Sequence, residues 1–307
     1  MRNILVLGGG HGLHAVIEAL KKEKDYNIKA IISTADSGGH TGRIVEEFNV
    51  PAVGDIRRNL ASTLDSFPLL QKMFDFRFDK LHDQKDISVG NLMLLSLLQN
   101  DNFEKILVQF QKEFHSNVLL LPLYTKPIDL CATYIDGSKG VKEHLIPCEN
   151  KKIKDVFYNE KLKLTKKVIH SIKEAEYIII GPGSLYTSVG AVLTDKTVAR
   201  LVKNSSAKTI YICNIMTEPK ETDDYSVLDH VRFIESKIGK SLDYIIANKK
   251  ELNNIQKEKY ASKNASPVKI VKTEKNIMYR NLLDIHQEYV RHDSKKLKKI
   301  IKKIIDN

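Results

Sequence analysis

The chain has 307 residues, with 49 Lys plus Arg against 38 Asp plus Glu, a formal charge of +11, 42% hydrophobic and 28% charged residues. That balance excludes whole-chain disorder, and no apolar run approaches the roughly 18 residues of a membrane helix, so no membrane insertion is expected. Only nine of the basic residues are Arg and 40 are Lys, which argues against a nucleic-acid surface, where bidentate contacts favour Arg.

The first apolar stretch, Ile4–Leu7, stops at three glycines and is too short for a signal-peptide core. Cys131, Cys148 and Cys213 show no metal spacing and leave one thiol unpaired, which fits a reducing cytoplasm. Strand-length runs recur at Asn3–Leu7, Ile28–Ser33, Asn117–Leu121, Tyr177–Ile180, Thr209–Cys213 and Tyr244–Ala247. Most are continuous rather than alternating, as in a parallel sheet buried on both faces. Helical patterns lie at Leu13–Lys22, Ile56–Leu64, Asn91–Leu98, Phe103–Phe114, Val227–Ile238 and Glu251–Ser262. The alternation predicts an α/β fold, a doubly wound and mostly parallel sheet. No linker divides residues 1–307, so one domain is expected. Leu130–Ile135, Asp136-Gly137 and Val141–Ile146 read as a small antiparallel excursion, an insertion or subdomain within residues 122–164. The last helix starts at Asp293 or Ser294; Leu297, Ile300, Ile301, Ile304 and Ile305 form its apolar stripe, and lysines fill the other face. Docking on the sheet is favoured over a membrane surface, because no Trp or Phe is present to anchor it.

Several segments carry chemistry. Gly8, Gly9, Gly10, His11 and Gly12 directly follow the first strand and open the first helix, where free N–H groups and the helix dipole favour an anion. Gly8 and Gly10 match a dinucleotide fingerprint, but Leu13 stands where its third glycine belongs. After the second strand come Asp36, Ser37, Gly38, Gly39, His40, Thr41, Gly42 and Arg43: an acid able to accept from ribose hydroxyls, or a second anion-binding loop. In the third segment Asp55 looks like an N-cap and Arg57 falls in a first helical turn. That is unfavourable unless a ligand anion, Asp36 or Asp55 lies nearby. Ser88-Val89-Gly90-Asn91 reads as a capped helix start whose amide can read a base or sugar. Gly181, Gly183 and Ser184 follow one strand, and Asn214 and Thr217 follow another. As a set they predict one extended polar cleft at the carboxyl ends of the strands. His11 and His14 stand at a usable ligand spacing, but no carboxylate pattern completes a metal site.

Together these segments resemble the YvcK branch of the CofD-like family, the gluconeogenesis factors. Gly8–His14 is similar to that branch's Gly-Gly-Gly-Thr-Gly-Leu-Ser, Ala35–Arg43 to Ala-Asp-Asp-Gly-Gly-Ser-Ser-Gly-Arg, and Val53–Arg58 to Pro-Gly-Asp-Ile-Arg-Asn. Gly90–Leu92, Gly181–Ser188, Tyr211–Thr217, Glu221–Asp223, Asp229-His230 and Val290–His292 continue the series, which spans nearly the whole chain. The resemblance implies a Rossmann-like fold, a cytoplasmic location, binding of a UDP-sugar, and a role in gluconeogenic growth and in cell shape or wall synthesis. The related CofD enzymes transfer a phospholactyl group with a divalent metal. Here His11 and His14 replace Thr and Ser, Ser37 replaces a second Asp, and Arg58 replaces Asn. One lost carboxylate weakens a Mg²⁺ site.

The leading expectation is therefore a nucleotide-sugar-binding regulator without turnover and with no required cofactor, Mg²⁺ remaining an option. It would need a protein partner that the sequence does not identify, and homo-oligomerisation stays open. A CofD-like transferase using Asp36 and Asp55 around a metal is one alternative, and an NAD-dependent oxidoreductase another.

Overall fold

The continuous Ile/Val/Leu runs form parallel strands. A computed structural model describes the chain except residues 82–83, 99–101, 150, 273–274, 276, 286–288 and 307, and except the side chains of 80–85. From the N-terminus, β1 (Arg2–Gly8), α1 (Gly10–Leu20), β2 (Tyr26–Ile32), α2 (Gly39–Phe48), α3 (Gly54–Ala61) and α4 (Pro68–Asp75) lead to a hairpin of β3 (Arg77–Leu81) and β4 (Gln84–Ser88). There follow α5 (Val89–Leu98), α6 (Phe103–Glu113) and β5 (Val118–Pro122). A small antiparallel sheet, ordered β7-β6-β8, comprises β6 (Leu130–Tyr134), β7 (Lys139–Val141) and β8 (Ile153–Tyr158). The remainder is α7 (Lys166–Glu174), β9 (Tyr177–Ile180), a π-helical turn (Leu185–Gly190), α8 (Ala191–Leu193), α9 (Lys196–Asn204) and β10 (Lys208–Ile212). After these come α10 (Val227–Ile238), β11 (Tyr244–Asn248), α11 (Asn254–Ala261), β12 (Ile277–Arg280) and α12 (Ser294–Ile305).

The main sheet has seven parallel strands in the order β12-β11-β10-β9-β1-β2-β5. Along β1 the side chains divide strictly: Ile4 and Val6 enter one core with α1, α3 and α12, and Leu5 and Leu7 enter the other with α7, α9 and α10. Burial on both faces is what the unbroken apolar runs require. From β1 the chain winds outward through β2 to β5, then returns to the other side of β1 with β9. The topological switch therefore lies between β1 and β9, where open α/β sheets form a crevice beyond the strand ends.

The last helix docks as expected. Asp293 accepts from the Lys295 and Lys296 N–H groups, and Leu297 and Ile301 are fully buried, each stabilising the fold by about 1.5–3 kcal/mol. Its lysine face turns to Glu23, which pairs with Lys298 and Lys302. Two expectations need correcting. Val141–Ile146 is not a strand beyond Val141, because Pro147 and the short apolar spacing favour a 3₁₀ helix, Glu143–Glu149. The first helix begins at Gly10 rather than Leu13, so Gly10 and Gly12 are helical.

Candidate functional site

Gly10 has a left-handed φ of 62°, which suits glycine, and the N-cap Gly9 offers no side-chain oxygen to the first turn of α1. Asp55 supplies one: its Oδ2 accepts from the Gly10 N–H at 2.7 Å, and its Oδ1 accepts from Arg58 Nη1 at 2.8 Å. Asp55 was expected to cap its own helix. The N-cap of α3 is instead Val53, and Asp55 caps α1 from across the cleft. A Cβ on Gly9 would lie 2.6 Å from Asp55 Oδ2, so glycine is what admits the carboxylate. A Cβ on Gly12 would meet the Pro182 carbonyl oxygen at 2.2 Å, which gives Gly12 a packing reason between α1 and the loop after β9. In that loop the Gly183 N–H donates to Asn214 Oδ1 at 3.1 Å, and Ser184 Oγ donates to Glu221 Oε2 at 2.6 Å. Residues from β1, β9 and β10 thus meet at the switch point.

On the β2 side the cleft is acidic. The Gly38 N–H donates to Asp36 Oδ1 at 3.0 Å, and α2 starts at Gly39 directly after it. A Cβ on Gly54 would sit 2.7 Å from Asp36 Oδ2 and 2.3 Å from Thr41 Oγ1, so α3 enters against both side chains. Burial, and then the Asp55 charge, push the Asp36 carboxyl up to about 6, against the opposing pull of the Gly38 N–H, Arg58 and Thr41. Glu143, on the 3₁₀ helix of the small sheet, is pushed up to about 8 by burial and by Asp36. Burial raises Glu218 to about 7, and burial together with Glu218 raises Glu221 well above its ordinary value. At neutral pH Glu143 keeps its proton while Asp36 is largely ionised, so these carboxyls can between them both donate to and accept from hydroxyl groups.

Toward α11 and α12 the cleft gains fixed cations beside its carboxylates. A cavity of about 800 Å³ there brings Arg291, Lys263 and Lys295 together with Glu18, Glu218, Asp284 and Asp293, and with His11, His14, Asn214 and Thr217. Partial burial, then the Arg58 and Arg291 charges, lower the basicity of His11, and burial lowers that of His14. His14 Nδ1 is buried and has no hydrogen-bond partner among the described residues. His292 Nε2 lies 3.1 Å from the Cys213 carbonyl oxygen, and burial holds that ring down at about 4.

Of the residues expected at a site, Gly8, Gly9, Gly10, His11, Gly12, Gly181, Gly183, Ser184, Asn214 and Thr217 gather at the switch point, and Asp36, Gly38, Gly39, Thr41, Gly42 and Asp55 form the adjoining acidic wall. Thr217 is tied to the 266 loop through the Ser266 N–H, which donates to its Oγ1 at 3.0 Å. Gly42 packs tightly, its would-be Cβ 2.1 Å from the Ser37 carbonyl oxygen, and Arg43 follows on α2. Asn91 is fully buried behind Thr41, donating to its Oγ1 at 3.4 Å. Arg57 departs from expectation. Its Nη1 donates to the Phe74 carbonyl oxygen at 3.0 Å and to Asp75 at 3.1 Å, because α4 packs on α3 and draws it from the cleft; Arg58 takes the pairing with Asp55. Glu143, Glu218 and Arg291 were not singled out as site residues, and His14 was weighed only as a metal ligand. Of their surroundings only Glu221–Asp223 and Val290–His292 stood out, as parts of the family resemblance.

Comparisons with known proteins agree with this geometry. Residues 4–303 match the family model described as 2-phospho-L-lactate transferase CofD. A gluconeogenesis factor of Bacillus subtilis is 34% identical over 306 residues, covering 97% of this chain and 96% of that protein. A putative gluconeogenesis factor of Thermotoga maritima is 31% identical, covering 98% of each. A crystal structure of a UPF0052 family member from Bacillus halodurans superposes with a TM-score of 0.92 at 32% identity, covering 98% of this chain and 99% of that one. With the family model matched over residues 4–303 and relatives at 31–34% identity covered over nearly their whole length, the chain belongs to the CofD family, among the gluconeogenesis factors.

Proposed function

We propose that the chain is a cytoplasmic nucleotide-sugar-binding factor that works without turnover, taking a UDP-sugar and acting through a protein partner in gluconeogenic growth and cell-shape or wall synthesis. One observation carries this reading: the cleft is bipartite. One end carries Arg291, Lys263 and Lys295, cations that suit a diphosphate, and the other carries Asp36 and Glu143, which suit sugar hydroxyls. Asn214, which accepts from the Gly183 N–H, lines the same cavity as Arg291 and Lys263.

A divalent metal does not fit the residues present. Both Asp55 oxygens are engaged, one by the Gly10 N–H and one by Arg58, and Arg58 already supplies a cation there. No group of three or more His, Cys, Asp or Glu among the described residues is arranged to hold a metal ion. This supports binding that is independent of Mg²⁺. A transferase is the second reading, favoured by one observation: the raised Asp36 and Glu143 carboxyls lie in the range useful for proton transfer.

The test is a thermal-shift and calorimetric screen of UDP-glucose, UDP-N-acetylglucosamine, GDP and NAD, each with Mg²⁺ and with chelator. At about 100 times its dissociation constant, a UDP-sugar should stabilise the fold by about 2.7 kcal/mol, equally in both conditions. A shift with NAD alone, or a strict metal requirement, would sink the reading.

A further inference from the structure

Leu69, Met73 and Phe76 recur at helical spacing along α4 and its C-cap, yet the stripe points outward: the three are 76%, 50% and 51% exposed. Phe76 carries the stripe onto the hairpin, where its ring meets Phe78 of β3 edge to face at 5.0 Å, and Phe78 is itself 37% exposed. Phe78 stands opposite Ile87 of β4, so the two side chains share a face; that face is covered over Ile87 and uncovered over Phe78 and Phe76. A two-stranded sheet alone is marginally stable and gains from a third strand or a covering helix. β4 has such support, because the Ser88 N–H donates to His40 Nδ1 of α2 at 3.1 Å, whereas β3 has no strand on its other edge among the described residues. The Val89 N–H donates to the Phe76 carbonyl oxygen at 3.1 Å, so the peptide groups of Phe76 and Phe78 face β4, and strand alternation turns those of Arg77 and Asp79 outward.

We propose that the chain forms a two-fold dimer through this edge: β3 pairs antiparallel with β3 of a second copy, centred on Phe78, and the stripe of Leu69, Met73 and Phe76 closes the interface beside it. Charge selects that centre. An antiparallel pair hydrogen-bonded through the outward groups of Arg77 and Asp79 can centre on Arg77, on Phe78 or on Asp79. The first sets Arg77 against its own copy and the last sets Asp79 against its own copy, and like charges directly opposite repel. Centring on Phe78 sets each Arg77 against Asp79 of the second copy, twice over by symmetry, and brings the two Phe78 rings together at a non-hydrogen-bonded position, where side chains approach most closely. Arg77 Nη1 already lies 3.2 Å from Asp86 Oδ1, so in the dimer it stands between two carboxylates. The uncovered parts of the four apolar side chains amount to roughly 400 Å² per copy, most of the roughly 450–500 Å² of apolar surface in a standard interface of about 800 Å² per partner. A second copy fits better than an unrelated partner because the edge is complementary to itself, and the resulting four-stranded sheet removes an edge open to aggregation. The dimer is independent of the nucleotide-sugar reading.

The experiment is sedimentation velocity on the whole chain over a range of micromolar concentrations. Wild type should sediment as a dimer that dissociates on dilution. Phe78→Asp should raise the dimer dissociation constant about 100-fold or more, and Leu69→Glu about tenfold. Should Phe78→Asp disturb the fold by circular dichroism, Leu69→Glu serves in its place, since Leu69 is the most exposed of the four side chains. Asp79→Arg and Arg77→Asp should each be monomeric alone, and their equimolar mixture should recover the dimer mass, because each copy then supplies the charges the other lacks. A wild type that stays monomeric throughout overturns the proposal, and one that instead sediments with phosphatidylglycerol vesicles gives the face to a lipid surface and overturns it too. A dimer that survives both Phe78→Asp and Leu69→Glu assigns the contact to another surface. Charge variants that dimerise alone, or that stay apart when mixed, overturn the pairing through β3.

Discussion

The two ends of the cleft solve opposite problems with the same device. At the acidic end, Asp36, Glu143, Glu218 and Glu221 crowd together and are raised, so they keep protons that isolated carboxyls would lose. At the basic end, His11, His14 and His292 are lowered and stay neutral beside fixed cations. Burial is the first cause at both ends. The difference lies in what each end still offers: the acidic end offers hydroxyl-scale hydrogen bonds, and the basic end offers the permanent charge of Arg291 and Lys263. The proposed nucleotide sugar, anionic at one end and hydroxyl-rich at the other, would draw on both.

The largest effect is expected where the ends meet, on α1. Gly12→Val forces a branched side chain onto the Pro182 carbonyl and should destabilise the fold by about 3 kcal/mol in urea unfolding. Gly10→Val meets only Ser188 Oγ, at 3.6 Å, and should cost about 1–2 kcal/mol of backbone strain while abolishing UDP-sugar binding. Equal destabilisation by the two would mean that the glycine loop is uniformly structural and has no ligand face.

Next in size are substitutions that address one end alone. Arg291→Met should weaken UDP-glucose by about 1.5–3 kcal/mol, tenfold or more, and flatten the salt dependence of binding. Asp36→Asn should cost about 1.5 kcal/mol, roughly tenfold, with salt dependence unchanged and no difference between Mg²⁺ and chelator. Titrations in which both variants lose the same salt dependence would erase the distinction between the ends. Wild-type affinity in Asp36→Asn would remove that residue from the site.

The smallest effect is on the pH dependence of stability without ligand. Glu143 and Glu218 bind protons in the folded chain at pH values where the unfolded chain has lost them. Their contribution is full below the ordinary carboxylate range and is lost as pH rises through about 7 and 8. The histidines run the other way: the contribution of His292 is present above its ordinary value and is lost as pH falls through about 4. Between about pH 6.5 and 8 the carboxyls therefore decide, and stability should fall as pH rises. Glu143→Gln should flatten that slope in urea unfolding. An unchanged slope would show that Glu143 ionises freely.

Much of the parallel sheet was legible in the sequence, because strands buried on both faces leave unbroken apolar runs such as Leu5–Leu7 and Ile178–Ile180. The helices α2, α4, α7 and α9 were not: α2 opens within a glycine-rich segment, α4 exposes Leu69 and Met73, and α7 and α9 are short, with only two or three buried residues each. The glycines of the site were legible as a set, but their separate duties were not. Gly12 is required by the Pro182 carbonyl, some 170 residues away in the chain, whereas Gly10 is required by its left-handed φ. The same reason hid the partner of Arg57, since nothing in Gly54-Asp55-Ile56-Arg57 announces that α4 will carry Asp75 to it. Glu143 was missed because its raised carboxyl depends on Asp36, a neighbour only after the small sheet folds over the strand ends.

The switch between β1 and β9 also has a kinetic side. The first strand, at residues 2–8, acquires its second neighbour only from residues 177–180, and the last helix then closes over α1. A nascent chain can pair β1 with β2 early, but it must hold one edge of β1 open through more than half of synthesis. Contacts of such high sequence separation slow folding and leave an exposed strand edge prone to aggregation. The crevice cannot be completed before β9 is made, since its walls come from opposite ends of that delay. A nucleotide sugar that binds there would act late, as a latch on nearly finished chains, and should slow unfolding far more than it speeds folding.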